Sequence, residues 1–337
     1  MSKIVGVIIG KFYPLHSGHI DMIKQSAAGL VDELHVVVCT NSTQTWGSLT
    51  PEDRVLSLQH AINSDTYIDV NIKIHHMDDS DMPGAEESDP DVSKVWADYL
   101  VTRFPDMDMF IGSEDYVEMM ANSTGKIYFK FSRDYVSGTK CRNNTLEFFP
   151  HINAYTRSKL IKRVCVVGAE SSGKSTLVRD IKYPSKFVLT TIEETARSFM
   201  IDGKLTPEHF ETFALNHYSN VFLNTDNMKT AVQVVDTDLN ITALYAQEYL
   251  GTNVELVDML QKKEKYDHYI VLPPIVPFVQ DGLRIQETQQ ERDDFYQKVL
   301  AFVIESGVPY TIINESTESE RIDIVLDIIY ELGDQIC

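Results

Sequence analysis

The stretch IVGVIIGKFYPLHSGHIDMI, residues 4–23, decides how the N-terminal half of the chain folds. An apolar run of strand character breaks at Lys11 into a loop that holds an aromatic pair, a proline and two histidines on either side of a glycine. An apolar-periodic segment follows, so the pattern predicts a strand, a loop and a helix in succession. Such a loop lies at the carboxyl edge of an open parallel sheet, which is where these sheets bind ligands.

A second glycine-rich loop, GAESSGKS at residues 168–175, lies near the start of the C-terminal half. It follows the strand-like run RVCVV, precedes the helical segment TLVRDI and fits the P-loop pattern G-x-x-x-x-G-K-[ST]. In such a loop, backbone N–H groups and the N-terminus of a helix bind phosphate oxygens. A glycine turn with a purely structural role is the alternative, and the flanking strand and helix argue against it.

Short β-branched runs alternate with helical patterns along both halves of the chain. This alternation predicts parallel sheets with crossover helices, so the fold class is α/β, with a Rossmann-like sheet first and a P-loop sheet second. The basic and polar stretch HINAYTRSKLIKR, residues 151–163, separates the two sets of strands. We expect one domain over residues 1–158 and another over residues 159–337.

Composition limits the class of partner. The 337 residues are 43% hydrophobic and 24% charged, which is typical of soluble globular domains. A formal net charge of −20 disfavours nucleic-acid binding, because phosphate neutralisation needs a concentrated basic face. The four cysteines have no zinc or redox spacing, the N-terminus does not resemble a signal peptide, and no apolar stretch reaches membrane length. We therefore expect a cytoplasmic protein without a membrane partner.

The first loop carries candidates for phosphate chemistry. Lys11, His16 and His19 could act there without a metal, because no nearby residue completes a zinc set. Imidazole donors in front of a helix N-terminus would stabilise charge that builds on an α-phosphate under attack. The later stretch VSGTKCRNN forms a second predicted anion-binding loop, whose candidate donors are Ser137, Thr139 and Arg142.

In the second loop, Lys174 would reach the β- and γ-phosphates of a nucleotide, and the Ser175 hydroxyl would take a Mg²⁺ position. The strand-like run AVQVV leads to Asp236 and Asp238, and a carboxylate there suits a metal site or a base for an incoming hydroxyl. For either aspartate, capping of the following helix is an equally good alternative. The sequence does not choose between the two.

Two further segments offer charged candidates for a substrate site. Glu194 and its neighbours Glu193 and Arg197 follow another strand end, and ion pairing at helical spacing is the alternative role. A proline-rich break after a later strand leads to three more charged residues, Asp281, Arg284 and Arg292. Arginines in such a segment could close on a transferring phosphoryl group, and a solvated position on a helix is the alternative for Arg292.

Together, GKFYPLHSGH at residues 10–19 and VSGTKCR at residues 136–142 resemble the paired signature of the HxGH nucleotidyltransferase superfamily. The form KFYPLHxGH resembles the NadR type of nicotinamide mononucleotide (NMN) adenylyltransferase, and LTPEDRV and PDVSKVWADYL are similar to segments of the same family. GAESSGKST, VVDTDLNIT and VQDGLR resemble the ribosylnicotinamide kinase domain of these bifunctional proteins. The resemblance covers nearly the whole chain and includes the order of the domains.

The resemblance implies roles for residues in both halves. In the adenylyltransferase it assigns catalysis to Lys11, His16, His19 and Arg142, and ATP binding to Gly10, Phe12, Gly18, Ser137 and Thr139. Its substrate residues there are Trp96, whose ring would stack on nicotinamide, and Arg54. In the kinase it places ATP on Gly168, Ser171, Ser172, Gly173, Lys174, Ser175 and Thr176. Catalysis would fall to Lys174 with Asp236 or Asp238, Mg²⁺ to Ser175 and Asp236, and the riboside to Glu194, Arg197, Asp281 and Arg284.

The implied function is that of a bifunctional NAD salvage enzyme that uses ATP and Mg²⁺. One domain would phosphorylate nicotinamide riboside to NMN, and the other would transfer the adenylyl group of ATP to NMN, giving NAD and pyrophosphate. The full NadR regulators begin with a helix-turn-helix domain, whereas this chain begins in the transferase strand, so no nucleic-acid partner is expected. Assembly into a homo-oligomer is left open. The alternative is an adenylyltransferase for another phosphorylated substrate, with the P-loop domain acting as a nucleotide sensor.

Overall fold

The computed structural model describes residues 3–41, 46–64, 71–84, 89–132, 135–182, 189–194, 205–224, 228, 230–279 and 286–336. By its internal contacts the chain divides into two compact units, Met1–Leu160 and Ile161–Ile336. Each unit has its own five-stranded sheet and its own buried core.

The sheet of the N-terminal unit is parallel, with the strand order β3-β2-β1-β4-β5. Its strands are β1 (Val5–Gly10), β2 (Glu33–Cys39), β3 (Asn71–Met77), β4 (Met109–Gly112) and β5 (Ile127–Lys130). The chain leaves the central strand β1 first towards one edge of the sheet and later returns to build the other edge. The carboxyl end of β1 is therefore the switch point at which α/β sheets bind ligands.

Helices cover both faces of this sheet. The crossover helices are α1 (Ser17–Gly29), α2 (Pro51–Asn63), α3 (Pro90–Arg103) and α4 (Tyr116–Thr124). Shorter helices follow β5, namely α5 (Gly138–Asn143), α6 (Thr145–Phe148) and α7 (Ala154–Leu160), with a 3₁₀ turn at Phe149–His151. Local sequence explains where two of them begin: Thr50 and Asp53 form a capping box at α2, and Asp89 caps α3 ahead of Pro90.

The apolar residues of β1 and β2 separate into two cores, one on each face. Val7 and Val37 pack with Leu100 of α3, whereas Ile8 and Val36 belong to the cluster that includes residues of α1 and α2. Burial on both faces explains why these strands read as continuous apolar runs rather than as alternating ones.

The C-terminal unit has a second parallel sheet, with the order β10-β9-β6-β8-β7. Its strands are β6 (Lys162–Gly168), β7 (Thr190–Ile192), β8 (Val232–Asp236), β9 (His268–Leu272) and β10 (Tyr310–Ile312). The P-loop strand β6 is central, so the loop that follows it lies between the carboxyl ends of β8 and β9.

The helices of this unit are α8 (Lys174–Asp180), α9 (Pro207–Tyr218), α10 (Leu239–Leu250), α11 (Glu255–Gln261), α12 (Gln289–Ser306) and α13 (Glu318–Asp334), with a π turn at Ser219–Leu223 after α9. Polar caps begin three of them. Asp238 caps α10, Thr288 and Glu291 form a capping box at α12, and Thr317 caps α13.

The predicted α/β class with two parallel sheets is confirmed. Within the described ranges, no helix combines the length and the apolar character that a membrane crossing requires.

Candidate functional site

The histidine loop follows β1 at the centre of the N-terminal sheet. Lys11 is exposed, whereas Phe12 adopts a left-handed backbone (φ 46°) and turns its ring into the core. His16 has an extended backbone and occupies the N-cap position of α1, so the helix begins directly behind it. The loop thus brings His16 and His19 to the N-terminal end of a helix, where the helix dipole favours an anion.

The two imidazole rings are stacked, with 3.7 Å between their centroids and 22° between their planes. The ring of Phe12 lies edge-on to His19 at 5.0 Å. Burial, aided by His16, holds the pKa of His19 well below its ordinary value. His19 is therefore neutral at pH 7 and carries one N–H donor and one acceptor nitrogen. Its Nδ1 is buried without a hydrogen-bond partner in the described part of the chain.

A pocket that is partly open to solvent lies next to these rings. The residues that line it include His16, Gly18, His19, Met22, Ser113, Glu114, Phe131, Ser137 and Gly138. Ser137 caps α5 by accepting a hydrogen bond from the backbone N–H of Lys140 at 3.2 Å. The structure thus brings the two loops that the sequence analysis proposed separately to the wall of one pocket.

Arg54 and Arg142 both lie close to the ring of Tyr13. The guanidinium carbon of Arg54 is 3.9 Å from the ring centroid and that of Arg142 is 5.4 Å from it. Arg142 donates to the carbonyl oxygen of Tyr13 and, at 3.4 Å, to the hydroxyl of Thr139. Arg54 is 3% exposed and donates to the Cys39 carbonyl at 3.1 Å. Arg142 is thus held against the histidine loop, and Arg54 supports Tyr13 from within the unit.

Trp96 lies on α3 in the core that also holds Val5, Val7 and Leu100, and it is 9% exposed. Its indole N–H donates to the carbonyl oxygen of Pro83 at 3.1 Å. The side chain therefore contributes to packing and fixes the segment that follows β3.

Two glycines of the P-loop in the C-terminal unit lie at backbone positions that a residue with a side chain could not occupy. Gly168 has φ 157°, and a Cβ atom there would lie 2.4 Å from the carbonyl oxygen of Leu272 on β9. Gly173 has φ 95° and occupies the N-cap position of α8. Both positions exclude a side chain, the first by contact and the second by conformation.

Lys174 begins α8, and its ammonium group donates to the carbonyl oxygens of Gly168 and Ala169 at 3.0 and 2.9 Å. These bonds hold its charge at the mouth of the loop. Ser172 is 1% exposed, and its hydroxyl has no hydrogen-bond partner in the described ranges. Ser175 and Thr176 follow in the first turn of α8 and are half-buried.

The structure separates the roles of the two aspartates after β8. Asp238 is fully buried and accepts hydrogen bonds from the backbone N–H of Ile241, the hydroxyl of Tyr269 and the amide of Asn240, at 2.8, 2.8 and 3.1 Å. Burial raises the pKa of the Asp238 carboxyl, and these donors oppose the rise. The helix-capping alternative therefore applies to Asp238.

Asp236 is the last residue of β8 and pairs with Val166 of the P-loop strand. One carboxylate oxygen accepts from the Thr237 hydroxyl at 3.2 Å. The other, Oδ2, is buried without a hydrogen-bond partner among the described residues. An orphaned carboxylate oxygen at the carboxyl edge of the sheet, beside the P-loop strand, suits a metal ligand or a general base.

Two buried arginines hold the P-loop, and one of them, Arg321, was not a candidate in the sequence analysis. Arg292 of α12 is 2% exposed and donates to the carbonyl oxygens of Glu170 at 3.1 Å and Ser171 at 3.2 Å. Both expectations for Arg292, a solvated helix residue and a mobile contact to phosphate, are therefore wrong. Arg321 of α13 donates to the Ser172 carbonyl at 2.9 Å. No local motif marks either residue.

A further pair ties the loop to the segment before α12. The backbone N–H of Glu170 donates to the Gln286 side chain at 3.1 Å, and the backbone N–H of Gln286 donates to the Glu170 carboxylate at 3.0 Å. Of the predicted riboside residues, Glu194 follows β7 and is half-buried. The other three, Arg197, Asp281 and Arg284, lie outside the described residues.

Comparison with protein-family models assigns each half separately. Residues 7–144 match the cytidylyltransferase-like family, and residues 163–321 match an AAA domain family. The first match contains the histidine loop and Arg142, and the second contains the P-loop and both buried arginines.

Among curated proteins, the chain is similar over its whole length to two proteins named trifunctional NAD biosynthesis/regulator protein NadR. Those of Escherichia coli (strain K12) and Salmonella typhimurium (strain LT2) are each 26% identical over 356 aligned positions, which cover 99% of this chain and 84% of theirs. A phosphopantetheine adenylyltransferase of Staphylococcus haemolyticus is 37% identical over 71 positions, or 21% of this chain.

Two solved structures share the fold. A NadR protein in complex with NAD and AMP-PNP superposes with a TM-score of 0.65 and 24% identity, covering 98% of this chain and 96% of that one. A NadR protein in complex with NR superposes with a TM-score of 0.68 and 24% identity, covering 99% and 97%. The chain is thus similar over nearly its whole length to NadR proteins and shares their fold, with a cytidylyltransferase-like domain preceding a P-loop domain of the AAA type.

Proposed function

We propose that this protein is a bifunctional NAD salvage enzyme in which both domains are active. The C-terminal domain phosphorylates nicotinamide riboside with ATP, and the N-terminal domain transfers the adenylyl group of a second ATP to the resulting NMN. The products are ADP from the first reaction, and NAD and pyrophosphate from the second. The two reactions together consume two molecules of ATP for each NAD formed.

The observation that carries the proposal is the presence of both phosphate-binding loops on one chain. This chain aligns from one loop through the other with 84% of the length of the NadR relatives. Either loop alone supports only nucleotide binding. A histidine pocket followed by a P-loop and an orphaned aspartate supports two successive phosphate transfers on one pyridine substrate.

In adenylyl transfer, an oxygen of the NMN phosphate attacks the α-phosphorus of ATP in line, and pyrophosphate leaves. The neutral ring of His19 donates one hydrogen bond, and positive charge comes from Lys11 in the histidine loop and from Arg142, which is held against that loop. We propose that these groups bind oxygens whose charge grows in the transition state, so positioning and electrostatics provide the rate enhancement.

In riboside phosphorylation, a ribose hydroxyl attacks the γ-phosphorus of ATP, and ADP leaves. Lys174 and the loop N–H groups hold the phosphates, and Asp236 either accepts the hydroxyl proton or binds the metal through Oδ2. Ser175 and Asp236 fit Mg²⁺, since a hydroxyl and a carboxylate oxygen are ligands that it accepts alongside substrate phosphates. When bound, Mg²⁺ would neutralise charge on the β- and γ-phosphates.

The second candidate function has one observation in its favour. The match to a phosphopantetheine adenylyltransferase, 37% identity, covers 21% of this chain. The N-terminal domain could therefore adenylylate another phosphorylated substrate, with the P-loop domain sensing nucleotide instead of transferring phosphate. The full-length similarity to NadR disfavours this alternative.

Incubation of the protein with ATP, Mg²⁺ and nicotinamide riboside, with the products resolved by chromatography over time, tests the proposal. NMN should appear first and NAD later, with ADP and pyrophosphate in step. A parallel reaction with NMN in place of the riboside should give NAD and pyrophosphate without ADP. If pyrophosphate forms only with phosphopantetheine, and ADP never forms, the sensor alternative is correct.

A further inference from the structure

Buried arginines lie directly behind the P-loop. Arg292 and Arg321 come from the first turns of α12 and α13, and they are 2% and 4% exposed. Their bonds to the loop go to three successive carbonyl oxygens, those of Glu170, Ser171 and Ser172, at 3.1, 3.2 and 2.9 Å. A solvent-facing role is excluded for both by this burial.

The carbonyl bonds determine where the amides of the loop point. In a trans peptide the N–H of each residue points opposite to the carbonyl of the residue before it. With the carbonyls of Glu170, Ser171 and Ser172 turned towards the guanidiniums, the N–H groups of Ser171, Ser172 and Gly173 face the other side. Convergent N–H groups on one side of a loop ahead of a helix form an anion-binding site.

Arg321 also brings its charge to the turn itself. Its Nη1 would lie 2.9 Å from a Cβ atom at Gly173, so the guanidinium packs against the α-carbon of that glycine. Nε donates to the Glu315 carbonyl at 2.7 Å, and Nη2 is buried with no hydrogen-bond partner in the described residues. Among those residues its hydrogen-bond acceptors are carbonyl oxygens, which orient the group, and the Glu315 carboxylate is a charged group that interacts with it.

We infer that Arg292 and Arg321 are positioning residues for the phosphate site of the C-terminal domain. They hold the loop with its amides turned towards the nucleotide, and Arg321 adds a buried positive charge behind those amides. The inference rests on the proposed use of this loop for ATP, and it assigns to the two arginines a contribution to phosphate affinity without direct contact to the nucleotide.

The charge and the fork geometry of arginine can be separated by substitution. Arg321→Gln removes the charge and leaves one neutral donor, whereas Arg321→Lys keeps the charge and one donor. Arg163→Gln is a matched control. Arg163 is also partly buried in β6 and also donates to an oxygen acceptor, the Gln233 side chain at 3.1 Å, but it lies at the end of the strand opposite to the P-loop.

Amide hydrogen exchange is measured on the peptide that spans residues 168–176 at increasing concentrations of AMP-PNP. Because this peptide contains only the P-loop, its protection reports nucleotide binding at this loop and not at the histidine pocket. In the unmodified protein AMP-PNP should slow the exchange of the loop amides. In Arg321→Gln the half-saturating AMP-PNP concentration should rise at least about tenfold, a loss of about 1.4 kcal/mol of binding free energy. Arg321→Lys should recover most of this loss, and Arg292→Lys should show a smaller rise in the same direction.

If Arg321 only stabilises the fold, its substitution should change the melting temperature and not the affinity for AMP-PNP. Arg321→Gln and Arg163→Gln would then both lower the melting temperature, with half-saturating concentrations within about twofold of the unmodified protein. That result for Arg321→Gln would overturn the inference. Should the glutamine variant not fold, Arg292→Lys decides, because a half-saturating AMP-PNP concentration equal to that of the unmodified protein in this folded variant would equally contradict the inference.

This test is independent of the proposed kinase reaction, since AMP-PNP binding needs no phosphoryl transfer. If the protein fails to phosphorylate nicotinamide riboside but AMP-PNP still protects the loop, the proposed reaction is wrong and the positioning role stands. If AMP-PNP protects no loop amide in the unmodified protein, the positioning role is wrong.

Discussion

The rings of His16 and His19 lie face to face at 3.7 Å, and the second ring is held neutral by burial. A stacked pair at this distance cannot carry two positive charges without strong repulsion, so at least one ring acts through a neutral N–H. Catalysis at this pocket would then use a hydrogen-bond donor whose protonation does not change near pH 7. The charge on the substrate phosphates would be met by Lys11 and Arg142.

His19→Ala tests this arrangement. We expect kcat for adenylyl transfer to NMN to fall about a hundredfold, because a donor that engages charge formed mainly in the transition state contributes to kcat. The KM for ATP should change less than about threefold. Steady-state kinetics normalised to active-site concentration measures both. His60→Ala serves as control, since His60 lies on α2 outside the pocket wall, and a folded His19→Ala enzyme within threefold of wild type would refute the catalytic role.

Lys174→Ala should separate the two activities. Its ammonium group lies at the mouth of the P-loop in one sheet, whereas the histidine pocket belongs to the other. We expect riboside phosphorylation to fall at least about a hundredfold and adenylylation of supplied NMN to stay within about twofold. Parallel assays of ADP and pyrophosphate release measure the split. Lys298→Ala, at an exposed lysine of α12 that pairs with Glu248, serves as the control. Equal loss of both activities in a folded Lys174→Ala variant would show that the sites are not independent.

Sequence patterns predict the parts of this molecule that depend on neighbours along the chain. The strand before Lys11, the glycines of the P-loop and the alternation of apolar runs each specify local backbone, and local backbone determines the α/β class and the edge where ligands bind. The two loops at the histidine pocket were also predictable, since each carries its own anion-binding pattern.

Contacts between distant segments were not predictable in the same way. Arg292 meets Glu170 across 122 residues, and Arg321 meets Ser172 across 149, so neither arginine stands near a motif that would reveal its partner. Asp236 and Asp238 are equivalent in the sequence, and only the folded positions of Tyr269 and Ile241 show which one caps a helix. The tertiary partners of a polar residue decide its role, and a single sequence does not contain them.

Asp236→Asn should therefore reduce kinase activity, whereas Asp238→Asn should reduce the stability of the fold. Asp236→Asn removes the unpartnered carboxylate, so we expect riboside phosphorylation to fall at least about a hundredfold with little change in stability. In Asp238→Asn the amide oxygen can still cap α10, but the amide nitrogen replaces the oxygen that accepts from Tyr269 and Asn240, so the free energy of unfolding should fall by about 1–3 kcal/mol. Urea unfolding and kinetics per folded molecule distinguish the two. Normal kinase activity in Asp236→Asn would contradict the assignment.

Two roles are expected for Trp96, packing in the core and stacking on nicotinamide, and the variants Trp96→Ala and Trp96→Phe can separate them. Trp96→Ala should lower the free energy of unfolding by about 3–5 kcal/mol, because the indole packs in the core and bonds to Pro83. If the ring also stacks on nicotinamide, the KM for NMN should rise about tenfold in the folded fraction while the KM for ATP stays within about twofold. Trp96→Phe keeps an aromatic face and should retain the KM for NMN. Equal change in both KM values would leave Trp96 a core residue only.

A histidine pair elsewhere in the N-terminal unit predicts how stability depends on pH. Nδ1 of His35 lies 2.8 Å from Nε2 of His75, and Nε2 of His35 lies 2.9 Å from the Glu33 carboxylate. One proton shared between two ring nitrogens requires that at least one ring be neutral. Burial lowers the pKa of both histidines. Lys73 lowers both pKa values further, Lys3 adds to the shift at His35, and Arg103 adds to the shift at His75. The Glu33 carboxylate opposes these shifts.

Lowered pKa values in the folded state mean that the unfolded chain binds more protons as the pH falls below the ordinary histidine pKa near 6.5. The pair therefore stabilises the unit fully above that pH, and the stabilisation is lost as the pH falls through the folded pKa values. Urea unfolding of the N-terminal unit at pH 7.5, 6.5 and 5.5 should show a steeper decline for wild type than for His75→Gln, which removes the shared proton. His151→Gln, outside the pair, should decline as wild type does. Parallel curves for wild type and His75→Gln would show that the pair is not the acid-sensitive element.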